Sequence, residues 1–433
     1  MMSQPKVLDR RLVVVGALLI QLCLGAIYAW SVFTPELQKA PFNFTSTQTQ
    51  IIFSVSLATF AVVMVLAGRW QAQSGPRIVA LTGGAVLGAG YILAGLFGQS
   101  FWAQVICIGL IGGAGIGLAY VCPIAVGVKW YPDKKGLITG LGVAGFGFGA
   151  LIWVYLAGNW GHLLASLGVL KVFLIYGIIF AVAVIGGSTW MVNPPEGWKP
   201  KGWKAPKPAG KGKGKAAVKM DYMPNEMLRT PQFFAIWGMF IFSSMAGLMT
   251  IGNIKLFGID ALQARAGLTA EAASAVAGTA MAVFYSLANG IGRIAWGSIS
   301  DKIGYKLSLV IMCGIQGVVM LLFYLMGGTQ ILLYLAAMLI GFNFGGNFAL
   351  FPLATSDMFG AKNLGRNYGW VFTAYGVGGI VGPIMAGILR DASKSTGDLQ
   401  GWLVVFTICG IACLAAAVIG WFVKPPQAAK VSA

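Results

Sequence analysis

GSISDKIGYK, residues 297–306, decides the fold, because a related stretch, GRWQAQSGPR, lies 229 residues earlier at residues 68–77. Both stretches begin with glycine, carry a second glycine seven residues later and end in a basic residue. Each stretch joins two long apolar runs. We therefore expect two short loops at equivalent places in two related halves of the chain.

The repeat extends beyond these loops at the same offset and without a gap. Matched glycines, prolines and aromatic residues recur in both halves: Gly112, Gly117 and Pro123 with Gly341, Gly346 and Pro352; Gly136 and Gly140 with Gly365 and Gly369; Phe146, Gly147 and Gly149 with Tyr375, Gly376 and Gly378. Glycine is abundant, with 62 residues, so the matched prolines, cations and aromatic rings carry the signal. Two parallel halves about an axis along the membrane normal are a known transporter architecture, in which substrate binds between the halves.

The composition excludes several classes of protein. Of 433 residues, 58% are hydrophobic and 10% are charged, whereas a soluble globular protein carries about 25% charged residues. So few charges cannot cover a water-facing surface, which excludes a soluble enzyme, a nucleic-acid-binding domain and a disordered scaffold. The single histidine and six cysteines show no metal-ligand spacing, and the sequence shows no nucleophile–base set. We therefore expect no metal, no cofactor and no enzyme activity.

Twelve apolar runs are long enough to cross a bilayer, which takes about 20 residues per helix. Backbone polar groups must be satisfied within the membrane, so these runs predict helices. We therefore predict an all-α membrane protein with twelve transmembrane helices in two pseudo-symmetric six-helix bundles. The predicted spans are 12–34, 48–68, 78–99, 102–128, 136–157, 168–192, 230–254, 268–298, 304–327, 330–355, 366–389 and 400–423.

Basic residues predict the orientation of the spans. With both termini on one side, that side holds 23 of the 30 lysines and arginines, the opposite side holds six, and Arg293 lies inside a span. Basic residues concentrate in cytoplasmic loops, so we expect cytoplasmic termini in a multi-pass protein of the cell (inner) membrane. The net charge of +18 then reflects topology in a lipid bilayer and not a nucleic-acid partner.

One long polar segment divides the chain. Residues 1–192 are predicted to form the N-terminal six-helix bundle, residues 193–229 a cytoplasmic basic linker, and residues 230–433 the C-terminal six-helix bundle. The linker is rich in proline, glycine and lysine, a composition typical of a flexible, solvated chain. It either has no partner or touches anionic lipid headgroups.

Arg293 is the most informative residue, because an arginine at the centre of a membrane helix costs about 2.5–3.5 kcal/mol. The surrounding residues 281–297 contain no carboxylate, and Asn289 lies one turn earlier on the same helical face. A guanidinium binds a carboxylate through two parallel hydrogen bonds. The sequence therefore favours a substrate anion at Arg293. The alternatives are a structural arginine bonded to carbonyl groups of another span, or one that snorkels to the cytoplasmic end.

Acidic residues are predicted to lie outside the spans or at their outer ends, so the core of the pathway has a net positive charge. This charge favours a small organic anion over amines and metal cations. Asp260 follows the seventh predicted span near Lys255 and is the candidate for a proton-carrying group.

Aromatic residues within the spans are candidates for the wall of a small substrate cavity. Several share a helical face through i+3 or i+4 spacing. The alternative for each ring is ordinary core or lipid packing. The candidates are Tyr28, Tyr120, Phe146, Phe344, Phe348, Phe372 and Tyr375.

The stretch GSISDKIGYK has the form G-x-x-x-D-[RK]-x-G-x-[RK]. It resembles the loop signature of the major facilitator superfamily, which lies between the second and third helices of a half. Charged groups at helix ends on the cytoplasmic face would form ion pairs and helix-dipole contacts that close an inner gate. The first copy has Ala72 where the pattern has aspartate. The candidate gating residues are Gly68, Arg77, Asp301, Lys302 and Lys306.

Nearly the whole chain resembles bacterial members of the oxalate/formate antiporter family, which is related to the monocarboxylate transporters. The segments that carry this resemblance are KWYPDKKGLITG (129–140), EMLRTPQFF (226–234), NGIGRIAWGSISDKIG (289–304), ALFPLATSDMFG (349–360) and RNYG (366–369). The resemblance implies that Arg293 binds the substrate carboxylate. It also implies that the cavity is lined by Tyr28, Tyr120, Phe344, Phe348 and Phe372.

One departure from the family concerns the substrate. The oxalate exchanger has a second membrane cation, a lysine in span 11, where this chain has Tyr375. One cation suits one carboxylate, since a second buried carboxylate would lack its partner. We therefore expect a secondary active transporter that moves a small monocarboxylate of the L-lactate or pyruvate type by alternating access. The alternative is an oxalate/formate-like organic anion exchanger.

A second departure concerns coupling. Related monocarboxylate transporters are proton symporters, which implies that a proton travels with the substrate here. Animal members carry an aspartate and a lysine where this chain has Asn289 and Tyr28, so their proton relay is not implied. We expect a monomer as the transport unit.

Overall fold

A computed structural model describes residues 8–131, 135–158, 161–195, 197–200, 221–360, 362–394 and 398–426. Within these ranges the chain forms helices and no β-strand. The long helices are α1 Arg10–Leu37, α2 Ser46–Ser74, α3 Pro76–Phe97, α4 Phe101–Trp130, α5 Lys135–Ala157, α6 Leu163–Ser188, α7 Pro231–Ala266, α8 Ala270–Ile303, α9 Tyr305–Met326, α10 Gln330–Phe359, α11 Leu364–Lys394 and α12 Gln400–Phe422.

The apolar lengths of these helices suit a bilayer. Eleven are long and apolar enough to cross a membrane, and the described apolar part of α5, Gly142–Ala157, is shorter. The predicted all-α membrane fold with twelve long helices is thereby confirmed.

Threonine hydroxyls cap many helix starts and satisfy backbone N–H groups that have no partner within the helix. Thr45 caps α2 and forms a reciprocal capping box with Gln48. Thr230, Thr269 and Thr329 cap α7, α8 and α10 in the same way, each accepting a bond from a backbone N–H three residues later.

Two glycine corners show the repeat in the backbone itself. Gly75 joins α2 to α3 with φ 84° and ψ 157°, and Gly304 joins α8 to α9 with φ 82° and ψ 152°. Residues with side chains rarely adopt such a positive φ, so the corner requires glycine. The two residues are 229 positions apart, as the matched sequence stretches are.

The helix pairings of the first half recur in the second half. Helix α3 packs on α6 as α9 packs on α12, α2 on α4 as α8 on α10, and α1 on α5 as α7 on α11. The halves meet mainly through α2 against α11 and α5 against α8, and the repeat relates these two pairs to each other. The predicted pseudo-symmetric arrangement thus extends from sequence to packing.

Small residues let α8 approach its neighbours closely. A Cβ atom on Gly292 would overlap the backbone carbonyl of Phe342 in α10, and one on Gly345 would overlap the carbonyl of Asn289. Close backbone approach of this kind is typical of helix packing in membranes, where small residues replace the hydrophobic driving force.

The seventh helix is longer than predicted. The seventh span was expected to end at residue 254, but α7 continues to Ala266 and includes Lys255 and Asp260. Charged residues usually mark the end of a span, but Lys255 is buried and Asp260 is paired, so the helix continues through both. The sixth helix starts earlier than predicted, at Leu163, and a kink at Gly168 lies within it.

Parts of the predicted linker and of both termini lie outside the described residues, namely 1–7, 201–220 and 427–433. The described end of the linker packs on the second half. The backbone N–H of Tyr222 donates to the carbonyl of Phe359 at 2.9 Å, and Asn363 and Asn367 each donate to the carbonyl of Tyr222 at 3.0 Å. The domain boundaries stay a prediction.

The close contact between α8 and α10 predicts a specific instability. Gly292→Ala should destabilise the protein by about 1–3 kcal/mol, because its methyl group meets the backbone of Phe342, which cannot move aside. Gly297→Ala is the matched control on the same helix, since the nearest atom to its Cβ is 3.9 Å away. Thermal unfolding of the purified variants measures the difference, and equal melting temperatures for the two variants would contradict this packing.

Candidate functional site

Arg293 lies in the middle of the molecule, on α8, and is 2% exposed. Its Nε donates a hydrogen bond to Oδ1 of Asn289 at 3.0 Å, so the two residues meet as their spacing predicts. Its Nη1 donates to the backbone carbonyl of Val143 in α5 at 2.8 Å. Because α5 belongs to the first half and α8 to the second, this bond joins the two halves. Arg293 therefore does not face lipid.

The guanidinium stands against aromatic rings. Its central carbon is 3.9 Å from the ring centroid of Phe348 and 5.8 Å from that of Phe146. The hydroxyl groups of Tyr28 and Tyr120 lie near enough to interact with its charge. Ring faces attract a cation, particularly where water is excluded, and here they partly compensate for its burial.

Two donors at this site have no partner in the part of the chain that the structure describes. They are Nη2 of Arg293 and Nδ2 of Asn289, both fully buried. No described carboxylate forms an ion pair with Arg293. A buried charge and a buried amide without partners are costly, so such donors point to a ligand with acceptor oxygens and a negative charge.

The structure gathers all seven predicted aromatic residues into one cluster. The hydroxyl groups of Tyr28 and Tyr375 share a hydrogen bond of 3.0 Å, which joins α1 to α11 across the halves. Its ring centroid lies 4.9 Å from that of Phe146 and 5.9 Å from that of Phe344. The other pairs are Tyr120 with Phe146 at 5.3 Å, Phe348 with Tyr375 at 5.8 Å and Phe372 with Tyr375 at 4.9 Å.

This aromatic cluster closes the centre of the molecule. None of the seven side chains is more than 5% exposed, so the site is shut from both faces. The role of these rings in substrate binding stays a prediction. Their arrangement matches a closed state, in which a ligand would be surrounded by helices from both halves.

Sequence reasoning missed Phe60, which lies at the centre of the cluster. Its ring centroid is 5.1 Å from Tyr120, 5.4 Å from Phe372 and 5.7 Å from Tyr375. The repeat contained the signal for this residue, because the 229-residue offset maps Asn289 onto Phe60. Asn289, a polar residue of the site in the second half, thus corresponds to Phe60, a ring of the cluster in the first half.

Asp260 is ion-paired near the C-terminal end of α7. Its carboxylate accepts two bonds from Arg390 of α11, at 2.7 Å from Nε and 2.9 Å from Nη2, and one from Trp402 at 3.0 Å. The seventh helix thus includes Asp260, which was predicted to follow it, and a buried arginine compensates this carboxylate near the end of the helix. Arg390, which the sequence placed in the outer loops, is 8% exposed.

The C-terminal end of α11 is bonded to the first half. Nη1 of Arg390 donates to Oγ of Ser46 at 2.6 Å and to Oε1 of Gln38 at 2.9 Å. The neighbouring Asp391 accepts from the backbone N–H groups of Ser46 and Thr47 at 2.9 and 2.7 Å, and from the Thr47 hydroxyl at 2.7 Å. A carboxylate at a helix N-terminus is stabilised by the helix dipole, so Asp391 fastens the start of α2 to α11.

The candidate gating residues lie at the opposite ends of the helices. Gly68, Arg77, Asp301 and Lys302 are exposed and Lys306 is half-buried. None of their charged side chains forms an ion pair with a described residue. The described residues thus form none of the ion pairs expected to close an inner gate, and the gating role stays a prediction.

Comparisons with known proteins agree with this architecture. The family model of the Major Facilitator Superfamily matches residues 14–383 and 267–433. An uncharacterised transporter of this type, YhjX of Escherichia coli strain K12, is 30% identical over 86% of each chain. The oxalate:formate antiporter of Oxalobacter formigenes is 29% identical over 95% of this chain and 90% of its own length. The apicoplast pyruvate carrier 1 of Toxoplasma gondii is 25% identical over 83% of this chain and 80% of its own.

The matched regions cover almost all of the described helices and both copies of the repeat. Together with the helix pairings and the multi-pass membrane fold, they establish that the chain belongs to the Major Facilitator Superfamily and is a transporter, not an enzyme.

Proposed function

We propose that this transporter carries a small monocarboxylate of the L-lactate or pyruvate type, bound between its two halves. The observation that carries the proposal is the pair of unpartnered donors on α8, Nη2 of Arg293 and Nδ2 of Asn289. A carboxylate offers the charge and the two acceptor oxygens that such a pair lacks. The relatives named for oxalate, formate and pyruvate transport support an organic anion as substrate.

The number of cations at the centre supports one carboxylate per substrate. Among the described residues, the aromatic cluster surrounds one cation, Arg293. Tyr375 occupies the position of the oxalate exchanger's second cation, and its hydroxyl is bonded to that of Tyr28. A second carboxylate would be buried among rings without a counter-ion, which is costly at low dielectric. An organic anion exchanger of the oxalate/formate type is the alternative, favoured by the high coverage of its match.

Arg293 also connects substrate binding to the movement of the halves. Its bond to the Val143 carbonyl crosses from α8 to α5. A carboxylate that binds both free donors attracts the guanidinium and so competes with its bond to the Val143 carbonyl. Substrate binding then changes a contact between the halves, which alternating access requires.

We place the proton-carrying group of the transporter at Asp260, on the outer side of the membrane. A proton on Asp260 would remove the charge that holds Arg390, and Arg390 in turn holds Ser46 and Gln38 of the first half. Protonation at this carboxylate would therefore loosen the outer contact between the halves. The proposal includes a monomeric transport unit in the cell (inner) membrane with cytoplasmic termini.

Arg293→Gln should reduce uptake of labelled lactate or pyruvate into proteoliposomes by about tenfold or more, because it removes the counter-charge and one charge-assisted hydrogen bond, worth about 1.5–3 kcal/mol. Arg293→Lys should also lose most of its activity, since an ammonium cannot provide the planar fork. The matched control is Arg69→Gln, an exposed arginine at the inner end of α2. Uptake by Arg293→Gln at the control rate would refute substrate binding at this residue.

Tyr375→Lys should shift selectivity from monocarboxylates toward oxalate by placing a second cation in the aromatic cluster. The ratio of oxalate uptake to lactate uptake should rise about tenfold, and Tyr375→Phe, which removes the hydroxyl alone, should not raise it. Competition between labelled lactate and unlabelled oxalate measures this ratio. High oxalate uptake by the unchanged protein would favour the exchanger alternative.

Asp260→Asn should abolish the acceleration of uptake by an inward proton gradient, while exchange between internal and external substrate continues. Glu271→Gln, an exposed carboxyl on the same face of the membrane, is the control. Uptake is measured with and without an imposed gradient, and again with substrate preloaded inside. A requirement for preloaded anion in the unchanged protein, with no response to the gradient, would select exchange over symport.

A further inference from the structure

Lys255 is a second buried cation that the proposed transport mechanism does not use. It lies on α7 and is 8% exposed. Among the described residues, none forms a hydrogen bond or ion pair with its ammonium group. Moving a lysine into a membrane-spanning segment without a partner is costly, so such a residue points to a ligand or pathway.

The side chain borders a small cavity between the two halves. The first half contributes Val32 of α1 with Val154, Tyr155 and Gly158 at and just after the end of α5, and the second half contributes Lys255, Gly278 and Ala282. The cavity has a volume of about 10 Å³, which corresponds to roughly one water-sized sphere. Lys255 and Tyr155 are its polar side chains, and the other lining residues are valines, glycines and an alanine.

Gly278 leaves additional room beside this cavity. A Cβ atom built on Gly278 would meet no atom within 4 Å, although the residue is buried in α8. A monatomic anion, or the carboxylate end of a short acid, needs more space than one water molecule. The open space beside Gly278 provides this additional volume, and no backbone segment has to move.

The charges around Lys255 leave its ammonium available. Glu36 and Lys39 are the charged groups that act on it, with opposite signs. These two residues pair with each other at 2.7 Å, so Glu36 is already compensated. The local balance is one excess positive charge, which suits one monovalent anion.

The cavity lies on the outer side of Arg293. Ala282 precedes Arg293 by eleven residues on α8, which corresponds to about 16 Å along the helix axis. Residues 154–158 lie at the same outer end of α5 that follows Phe146 of the aromatic cluster. An anion that arrives from outside between the halves would reach Lys255 before it reaches Arg293.

We propose that Lys255 forms a second binding site for a small monovalent anion, between the halves and on the outer side of Arg293. The anion is either chloride or the carboxylate of the transported acid, which would then pause at Lys255 before it moves inward. The second possibility rests on the proposed function, whereas the site itself does not.

Anion-dependent thermal stability of the purified full chain tests the site directly. In an Arg293→Gln background the central cation is absent, so any remaining stabilisation by small anions reports another site. At constant ionic strength, replacing gluconate by chloride or acetate should raise the melting temperature by about 2 °C. A rise with chloride identifies chloride as the bound anion, and a rise with acetate identifies a carboxylate. Adding Lys255→Gln should abolish the rise, and adding Lys255→Arg should keep it.

A steric variant and a transport measurement provide an independent test if Arg293→Gln does not fold. In the otherwise unchanged chain, Gly278→Val fills the cavity without removing a charge. Both Gly278→Val and Lys255→Gln should raise the KM for uptake from outside about tenfold with little change in kcat, because a cation in the path increases the capture of anions. Lys171→Gln, an exposed lysine at the outer end of α6, is the control.

The outcomes separate this inference from the proposed function. If the protein transports no monocarboxylate but the thermal response depends on Lys255, the proposed function fails and the site stands. If no small anion stabilises the Arg293→Gln protein, or the response is unchanged by Lys255→Gln, the site is refuted. Unchanged KM values in both cavity variants would refute the transported acid as the occupant of the site, leaving chloride to be tested by the thermal response.

Discussion

The structure depends on how one permanent charge is held where water is excluded. Arg293 has a carbonyl on one side, an amide on another and aromatic faces around it, but no described carboxylate partner. Each of these contacts compensates part of the cost of burial, and none neutralises the charge. Because one contact comes from the opposite half, the same residue is both the binding group and a connection between the halves.

Much of the fold could be predicted because membrane insertion imposes simple rules. Apolar length predicted the helices, and a 229-residue repeat predicted that α3 and α9, or α2 and α8, occupy equivalent places. The end of α7 could not be predicted in this way. A hydropathy pattern treats Lys255 and Asp260 as exposed charges, whereas the helix continues because Arg390, 130 residues later, compensates Asp260. Long-range pairing of that kind leaves no local signal.

The candidate site could likewise be predicted only in part. Arg293 was predictable because its charge stands out in an apolar run, and the aromatic residues were candidates because they lie within predicted spans and mostly match cavity positions of the similar family. Which ring touches which could not be predicted, since contacts such as Tyr28 with Tyr375 join residues 347 positions apart. Phe60 looked like any other apolar residue of α2, and its position between four predicted rings depends on the three-dimensional arrangement.

The dense packing of rings around Phe60 has a consequence for the energy supply of the cell. A continuous file of water through a carrier would let hydrated ions cross and would discharge the voltage across the membrane. Interlocked rings with exposures of 5% or less leave no room for such a file in this state. The aromatic centre therefore blocks a continuous water path in this closed state, which keeps the carrier from conducting the ions whose gradient drives other transport.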